Sequence, residues 1–170
     1  MAFYVGSELC NLFLEPHFKN FNKRLVKTPK LYFFDTGLAC SLLRIDSAQV
    51  LHNSHFRGAL FESLIISDFY KQYCNAGIRP ALYFWRDVGA AHEVDCILDQ
   101  ADALYPVEIK AGTSIASDSF KGLDYWNALA QADPVHSYLI YAHDEKQKRK
   151  RGNVIGWKDA STLNENVAKK

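Results

Sequence analysis

Charge of one sign, paired cysteines and long apolar runs are all missing from this 170-residue chain, and each absence removes a class of function. The net charge is +1, so bulk positive charge does not hold the chain on nucleic acid. A bound metal ion can still supply positive charge locally. The four cysteines, Cys10, Cys40, Cys74 and Cys96, include no C-x-x-C pair, and the six histidines show no H-x-x-x-H, which argues against a zinc site. Scattered cysteines in a chain of this size fit a reducing cytosol better than a disulfide framework. No apolar run is long enough to cross a bilayer and no signal peptide is present, so a cytoplasmic protein without a membrane partner is expected. There is no G-x-x-x-x-G-K-S/T either, so no ATP hydrolysis is expected from this chain.

What is present suits a folded domain. Hydrophobic residues make up 48% and charged residues 23%, enough for a sizeable core. Aromatics reach 14%, with eleven Phe and nine Tyr, which fill strand and helix faces. The opening "MAFYVGSELCNLFLEPHF" lacks a clear cap or period and reads as a chain entered partway through a larger protein. Three regions are expected: an N-terminal segment over 1–50, a main domain over 51–160 and a tail over 161–170.

Pro16 and Pro29 punctuate the first thirty residues. "KLYFFDTGL" then predicts a short strand followed by a helix over Leu38–Leu43, capped by Asp35 or Thr36. Phe56, Leu60, Leu64, Ile65 and Phe69 recur at helical spacing and predict a long amphipathic helix ended by Asn75 and Gly77. Glu62 flanks its apolar stripe. Three strands follow at Ala81–Arg86, His92–Asp99 and Ala103–Lys110, the last two joined by the short link "QAD" as a hairpin. A helix is expected from about Ser117 to Ala130, capped by Ser117, Asp118 or Ser119. Strands over His136–Ala142 and Asn153–Trp157 close the order. The pattern predicts an α/β fold with helices on both faces of a mixed sheet.

One constellation carries chemistry. "VEIKAG" places Glu108 and Lys110 two positions apart on a strand, and so on one face. Glu-x-Lys alone is a weak signal, since Asp144-Glu145-Lys146 has the same form in a charged turn. Context separates the two. The preceding hairpin strand carries Asp95, and paired strands run about 4.8 Å apart, so Asp95 is expected beside Glu108. Two such carboxylates repel unless a cation lies between them. Mg2+ or Mn2+ suits oxygen ligands of this kind. Asp95 and Glu108, with the Ile109 carbonyl, would hold the metal. Lys110 would position the nucleophile, and Glu62 would act through water or a second metal.

The same residues resemble a known family. The order helix-Glu62, strand-Asp95, strand-Glu108-x-Lys110, helix, strand resembles the PD-(D/E)XK nuclease-like fold, a restriction-endonuclease-like three-layer α/β architecture. "NFNKRLVKTPKLYFFDTGLACSLL", "RGALFESLIISDFYK", "LYFWRD", "HEVDCIL" and "PVEIKAG" are similar to a C-terminal domain of unknown function found in prokaryotic AAA+ ATPases. The likeness runs from about Leu12 to Trp157. It implies Glu62, Asp95, Glu108 and Lys110 as catalytic positions, with metal at Asp95, Glu108 and Glu62. It also implies nucleic acid, most readily DNA, as a partner and an upstream AAA+ module in the parent. Val94 stands where the fold's name has proline, a position with no side-chain metal contact. Members of this fold include binders that do not cut, so a non-catalytic docking module for nucleic acid or protein is the alternative.

Other residues admit two readings. Trp85 and Arg86 could stack on a base and clamp a phosphate, or form core and rim. His92 could shuttle a proton, and Glu93 shares Asp95's side by alternation. Asp35 reads as a helix cap. "KQKRKR" over Lys146–Arg151 reads as a solvated hairpin tip. Lys23, Arg24, Lys27 and Lys30 form a basic stretch suited to an interface with an upstream module.

Overall fold

Alternating apolar residues at Leu12 and Leu14 put β1 (Asn11–Pro16) on the sheet, its even positions buried and Phe13 and Glu15 outward. Pro16, expected to break regular structure, is instead the last residue of this strand. Proline is tolerated here because it closes the strand, and the next amide, His17 N–H, donates to Phe84 O at 2.7 Å. β2 (Lys30–Phe33) pairs with β1 in antiparallel register, Leu12 opposite Tyr32. The computed structural model describes residues 10–17, 28–87, 89, 91–100 and 103–164. Lys23, Arg24 and Lys27 lie outside the described residues.

Asp35 caps α1 (Thr36–Leu42), its Oδ1 accepting from Leu38 N–H at 3.0 Å. A second short helix, α2 (Ala48–Asn53), capped by Ser47, was not anticipated. α3 (Arg57–Asn75) buries Leu60, Ile65, Ile66, Phe69 and Tyr73. Phe56 and Leu64, expected in that stripe, are exposed instead. Gly77, at φ 69°, ends the helix: Ile78 N–H reaches Tyr73 O and Gly77 N–H reaches Cys74 O, both at 3.0 Å. This double closure needs a left-handed residue that glycine adopts without strain.

β3 (Leu82–Arg86), β4 (Glu93–Gln100) and β5 (Ala103–Lys110) form an antiparallel run, as the hairpin reading expected. A crossover through α4 (Lys121–Ala130) leads to β6 (Tyr138–Tyr141), parallel to β5. α4 starts later than expected, and none of the proposed side-chain caps is used. Residues 117–120 form a turn in which Lys121 N–H bonds the Asp118 main-chain carbonyl at 2.9 Å, satisfying the amide without a side chain. β6 also starts later, because Asp133 and Pro134 set a 3-10 turn over Pro134–His136.

The basic run is not only a hairpin tip. Its first part is β7 (Gln147–Arg149), an edge strand antiparallel to β8 (Gly152–Gly156). Positive charge on an edge strand discourages pairing with other chains. Arg151 turns back to α4, pairing with Asp124, donating to Ser117 O at 2.8 Å and lying over the Phe120 ring. Residues 161–164, assigned to the tail, belong to a 3-10 segment over Trp157–Asn164. Leu163 O accepts from Gln100 Nε2 at 2.9 Å.

The result is one mixed eight-stranded sheet in the order β2-β1-β3-β4-β5-β6-β8-β7. The segment before residue 50 contributes two of its strands. On one face Ile65, Ile66 and Phe69 of α3 pack on Cys96, Leu98, Val107, Ile109 and Ile140. On the other, Leu123 and Trp126 of α4 pack on Trp85, Val94, Ile97, Leu139 and Val154. Among the described residues no helix is long and apolar enough to cross a membrane.

Gly122 allows α4 to approach this closely. A Cβ there would lie 2.1 Å from Glu93 O and 3.2 Å from Glu108 Oε2. In an open helix Gly→Ala stabilises by about 1 kcal/mol. Gly122→Ala is instead expected to destabilise by about 1–3 kcal/mol, the usual cost of overpacking. Urea denaturation gives the sign directly.

Candidate active site

The site forms where the β4–β5 ladder meets an irregularity. Cys96 faces Val107 at the end of the β4–β5 register, and Asp95 and Glu108 are the next residues on their two strands. On the other side of β4 the ladder slips: Tyr83 faces Ile97 and Trp85 faces Val94, so two steps on β3 meet three on β4. This is a bulge, a device that re-aims side chains. Strict alternation would put Val94 and Cys96 on one face, yet Val94 packs under α4 and Cys96 under α3. Asp95 sits at that bend. The alternation behind the Glu93 expectation is therefore broken, although Glu93 still reaches the same neighbourhood through Lys30.

Asp95 Oδ2 accepts from Ile109 N–H at 2.9 Å, which ties β4 to β5. Burial first, then the Glu108 and Glu62 carboxylates, push its carboxyl well above the ordinary range. Glu108 is also raised, chiefly by burial, although Lys110 opposes the shift. Lys110 Nζ donates to Glu108 Oε1 at 2.5 Å. Glu108 Oε2 is buried with no hydrogen-bond partner. An ionised oxygen in that position is costly unless something cationic meets it.

Glu62, on α3, is engaged differently. Its Oε1 accepts from Lys30 Nζ at 2.7 Å and from the Tyr32 hydroxyl at 2.5 Å. Lys30 Nζ also donates to Glu93 Oε1 at 2.5 Å and lies 4.0 Å from Asp95 Oδ1. Burial works to lower the Lys30 pKa, but Glu62, Asp95 and Glu93 together hold it above its ordinary value. Tyr32 is pushed far up by burial and by Glu62. Arg86 Nε donates to Glu93 Oε2 at 2.6 Å. Burial would raise the Glu93 carboxyl, but Arg86 and Lys30 bring it below its usual range.

Asp95, Glu108 and Lys110 lie within electrostatic reach of one another, with Glu62 near enough to act on all three. Lys30 and Tyr32 were missed. Lys30 had been read as part of a basic stretch suited to an interface with an upstream module, yet its side chain is only 18% exposed and lies among the acids. The available signal was their i, i+2 spacing on one strand, the same spacing as Glu108 and Lys110. Trp85 does not stack on a base: it is 1% exposed and packs edge-on against Trp126 in the core. Arg86 is a rim residue held by Glu93 and the Phe84 ring. His92 stacks on Tyr125 at 3.7 Å and lies 3.3 Å from Asp87.

Among the described residues, no group of three or more His, Cys, Asp or Glu side chains is placed to hold one metal ion together. Mg2+ and Mn2+ do not require that, since they commonly use one or two carboxylates and keep several waters. Asp95 and Glu108 fit such an ion: all-oxygen donors, mutual repulsion, and one buried carboxylate oxygen without a partner. Glu62 Oε1 is already engaged by Lys30 and Tyr32.

Residues of this chain are 35% identical over 98 positions to uncharacterized proteins of Mycobacterium tuberculosis and Mycobacterium bovis. The matched stretch covers 57% of this chain and 21% of each relative, so the chain spans about a fifth of their length. No solved structure matches it. Residues 8–49 match the profile of one domain of unknown function (DUF8612). Residues 57–160, well over half of the chain and including Glu62, Asp95, Glu108 and Lys110, match another, and the chain belongs to that family, the domain of unknown function DUF4143.

Proposed function

We propose that this chain is a Mg2+- or Mn2+-dependent nuclease domain acting on DNA, with a PD-(D/E)XK, restriction-endonuclease-like fold, carried at the C-terminal end of a AAA+ ATPase. The observation that carries the reading is the nearness of Asp95 and Glu108 on neighbouring strands, close enough for Glu108 to raise the Asp95 carboxyl, with Lys110 on Glu108 and Glu108 Oε2 left without a partner. The mixed sheet with helices on both faces is consistent with it. So is the greater length of the relatives, which leaves room for an ATPase module.

Asp95 and Glu108 would hold the cation. When bound, it supplies positive charge to a scissile phosphate and lowers the pKa of a nearby water. Lys110 keeps its ammonium beside that position. Its side chain is 42% exposed, so a backbone phosphate can reach it. There it orients the nucleophile and offsets charge that develops on the phosphate. Calorimetric titration with Mn2+ is the first test. Saturable binding that disappears in both Asp95→Ala and Glu108→Ala is the expected result, followed by cleavage of single- or double-stranded DNA. Binding without cleavage would favour the second reading, a docking module. One observation already leans that way: Lys30 and Arg86 neutralise much of the acidic group from within.

A further inference from the structure

We infer that Lys30 is the built-in cation of this site: its ammonium fills the subsite made by Glu62 and Glu93, so that the chain takes one divalent ion, between Asp95 and Glu108, where it would otherwise take two. The inference rests on the metal-dependent reading above and adds to it the stoichiometry and the residue that sets it.

Lys30 is not a surface lysine that has fallen onto an acid. It starts on the edge strand β2, with β1 and β3 lying between that strand and β4 in the sheet. Its Nζ lies 5.5 Å from the centre of the Tyr32 ring and 5.8 Å from that of Phe84, close enough for both aromatic faces to favour a cation. An ammonium has three donors. Two are taken by Glu62 and Glu93, and Asp95 Oδ1 is the next acceptor, at 4.0 Å.

The acidic group is therefore divided. At the Lys30 end three carboxylate oxygens have cationic or hydroxyl partners: Glu62 Oε1 accepts from Lys30 and Tyr32, and Glu93 accepts from Lys30 on one oxygen and Arg86 on the other. At the other end Glu108 Oε2 is buried and has none. An incoming divalent ion gains most where charge is unmet, and displacing Lys30 would strand a part-buried ammonium. Lys30 comes from the segment matched by the 8–49 profile, whereas the four acids lie within the 57–160 match. The site is composite, and the preceding segment supplies the group that sets how many ions enter.

The test is Mn2+ stoichiometry, by calorimetry and by paramagnetic resonance, on the whole chain. Wild type is expected to bind one ion, removed by Glu108→Ala. Lys30→Met is expected to bind two, the second removed by adding Glu62→Gln. Lys30→Met is also expected to melt at a lower temperature in chelator and to recover with Mn2+, because the second ion replaces the lost ammonium. Two ions in the wild type, or one in Lys30→Met with no recovery of melting temperature, overturns the role of Lys30 and leaves the Asp95–Glu108 site standing. A wild type that binds none, beside a Lys30→Met that binds one ion lost on Glu62→Gln, does the reverse. No ion in either sinks both. If Lys30→Met does not fold, the wild type and Lys30→Arg still decide, since two ions in either contradicts the inference.

Discussion

Asp95→Asn is expected to lose Mn2+ binding and to slow DNA cleavage by at least about 100-fold, the scale on which loss of one electrostatic contact to a reacting group acts. The same substitution is expected to raise the melting temperature of the metal-free protein, by a margin that widens with pH. The folded protein holds the Asp95 carboxyl well above its ordinary range, through burial and the charges of Glu108 and Glu62. A group raised in this way favours folding most when it is protonated in both states. That contribution is lost as pH rises from the unfolded value through the folded one. Asparagine has no proton to lose, so its variant escapes the loss. Its side-chain oxygen can still accept from Ile109 N–H, as Asp95 Oδ2 does at 2.9 Å. Glu93 behaves oppositely. Its lowered carboxyl gives stability that is present above the unfolded pKa and lost as pH falls, in wild type and variant alike. The difference between the two melting curves therefore reports Asp95 together with the Glu108, Glu62 and Lys30 charges it interacts with. Thermal melts in chelator across the acid and neutral range, repeated with Mn2+, measure it. A variant no more stable than wild type at neutral pH would show that the Asp95 charge is already compensated from within the site.

Trp85→Ala is expected to cost about 3–5 kcal/mol, the range for emptying a large aromatic site in a core. It is expected to leave the DNA affinity of the folded fraction unchanged. Trp85 is almost fully buried, with Trp126 edge-on at 5.5 Å between ring centres and Tyr125 at 5.9 Å. Its indole N–H is buried with no hydrogen-bond partner. Trp85→Phe removes that unmet donor, a gain of about 1–3 kcal/mol, against a smaller loss of packing, and is expected to lie near neutral. Denaturant titration of the three proteins, with oligonucleotide binding measured on each, checks both parts. Weakened binding at unchanged stability would return Trp85 to the DNA surface.

Trp85 and Lys30 show why some residues could not be assigned from the chain alone. A tryptophan-arginine pair at the end of a strand has the same local pattern whether it meets solvent or a helix. Which it meets depends on α4, some forty residues further on, whose Trp126 closes over it. A lysine among other basic residues reads as part of an interface because none of its acidic partners lies near it in sequence. Its partners Glu62 and Glu93 are 32 and 63 residues away. The start of α4 was misplaced for a smaller reason. Ser117, Asp118 and Ser119 all suit a cap, but a main-chain bond from Lys121 to Asp118 satisfies the amide first.

Local order was enough for the rest. Alternation and a short link determined the β4–β5 hairpin, and with it the presence of Asp95 and Glu108 on neighbouring strands and of Lys110 beside Glu108. The Asp35 cap and the Gly77 stop are each decided within a turn of chain, so sequence alone determined them. The tertiary structure decided the bulge at Asp95, the burial of Trp85, the place of β1 and β2 in the sheet and the delivery of Lys30 to the acids. Periodicity reports which way a side chain leaves its own strand. Whether a charge ends in water or against another charge is settled only when distant elements pack and a side chain of the edge strand reaches an acid beyond two intervening strands.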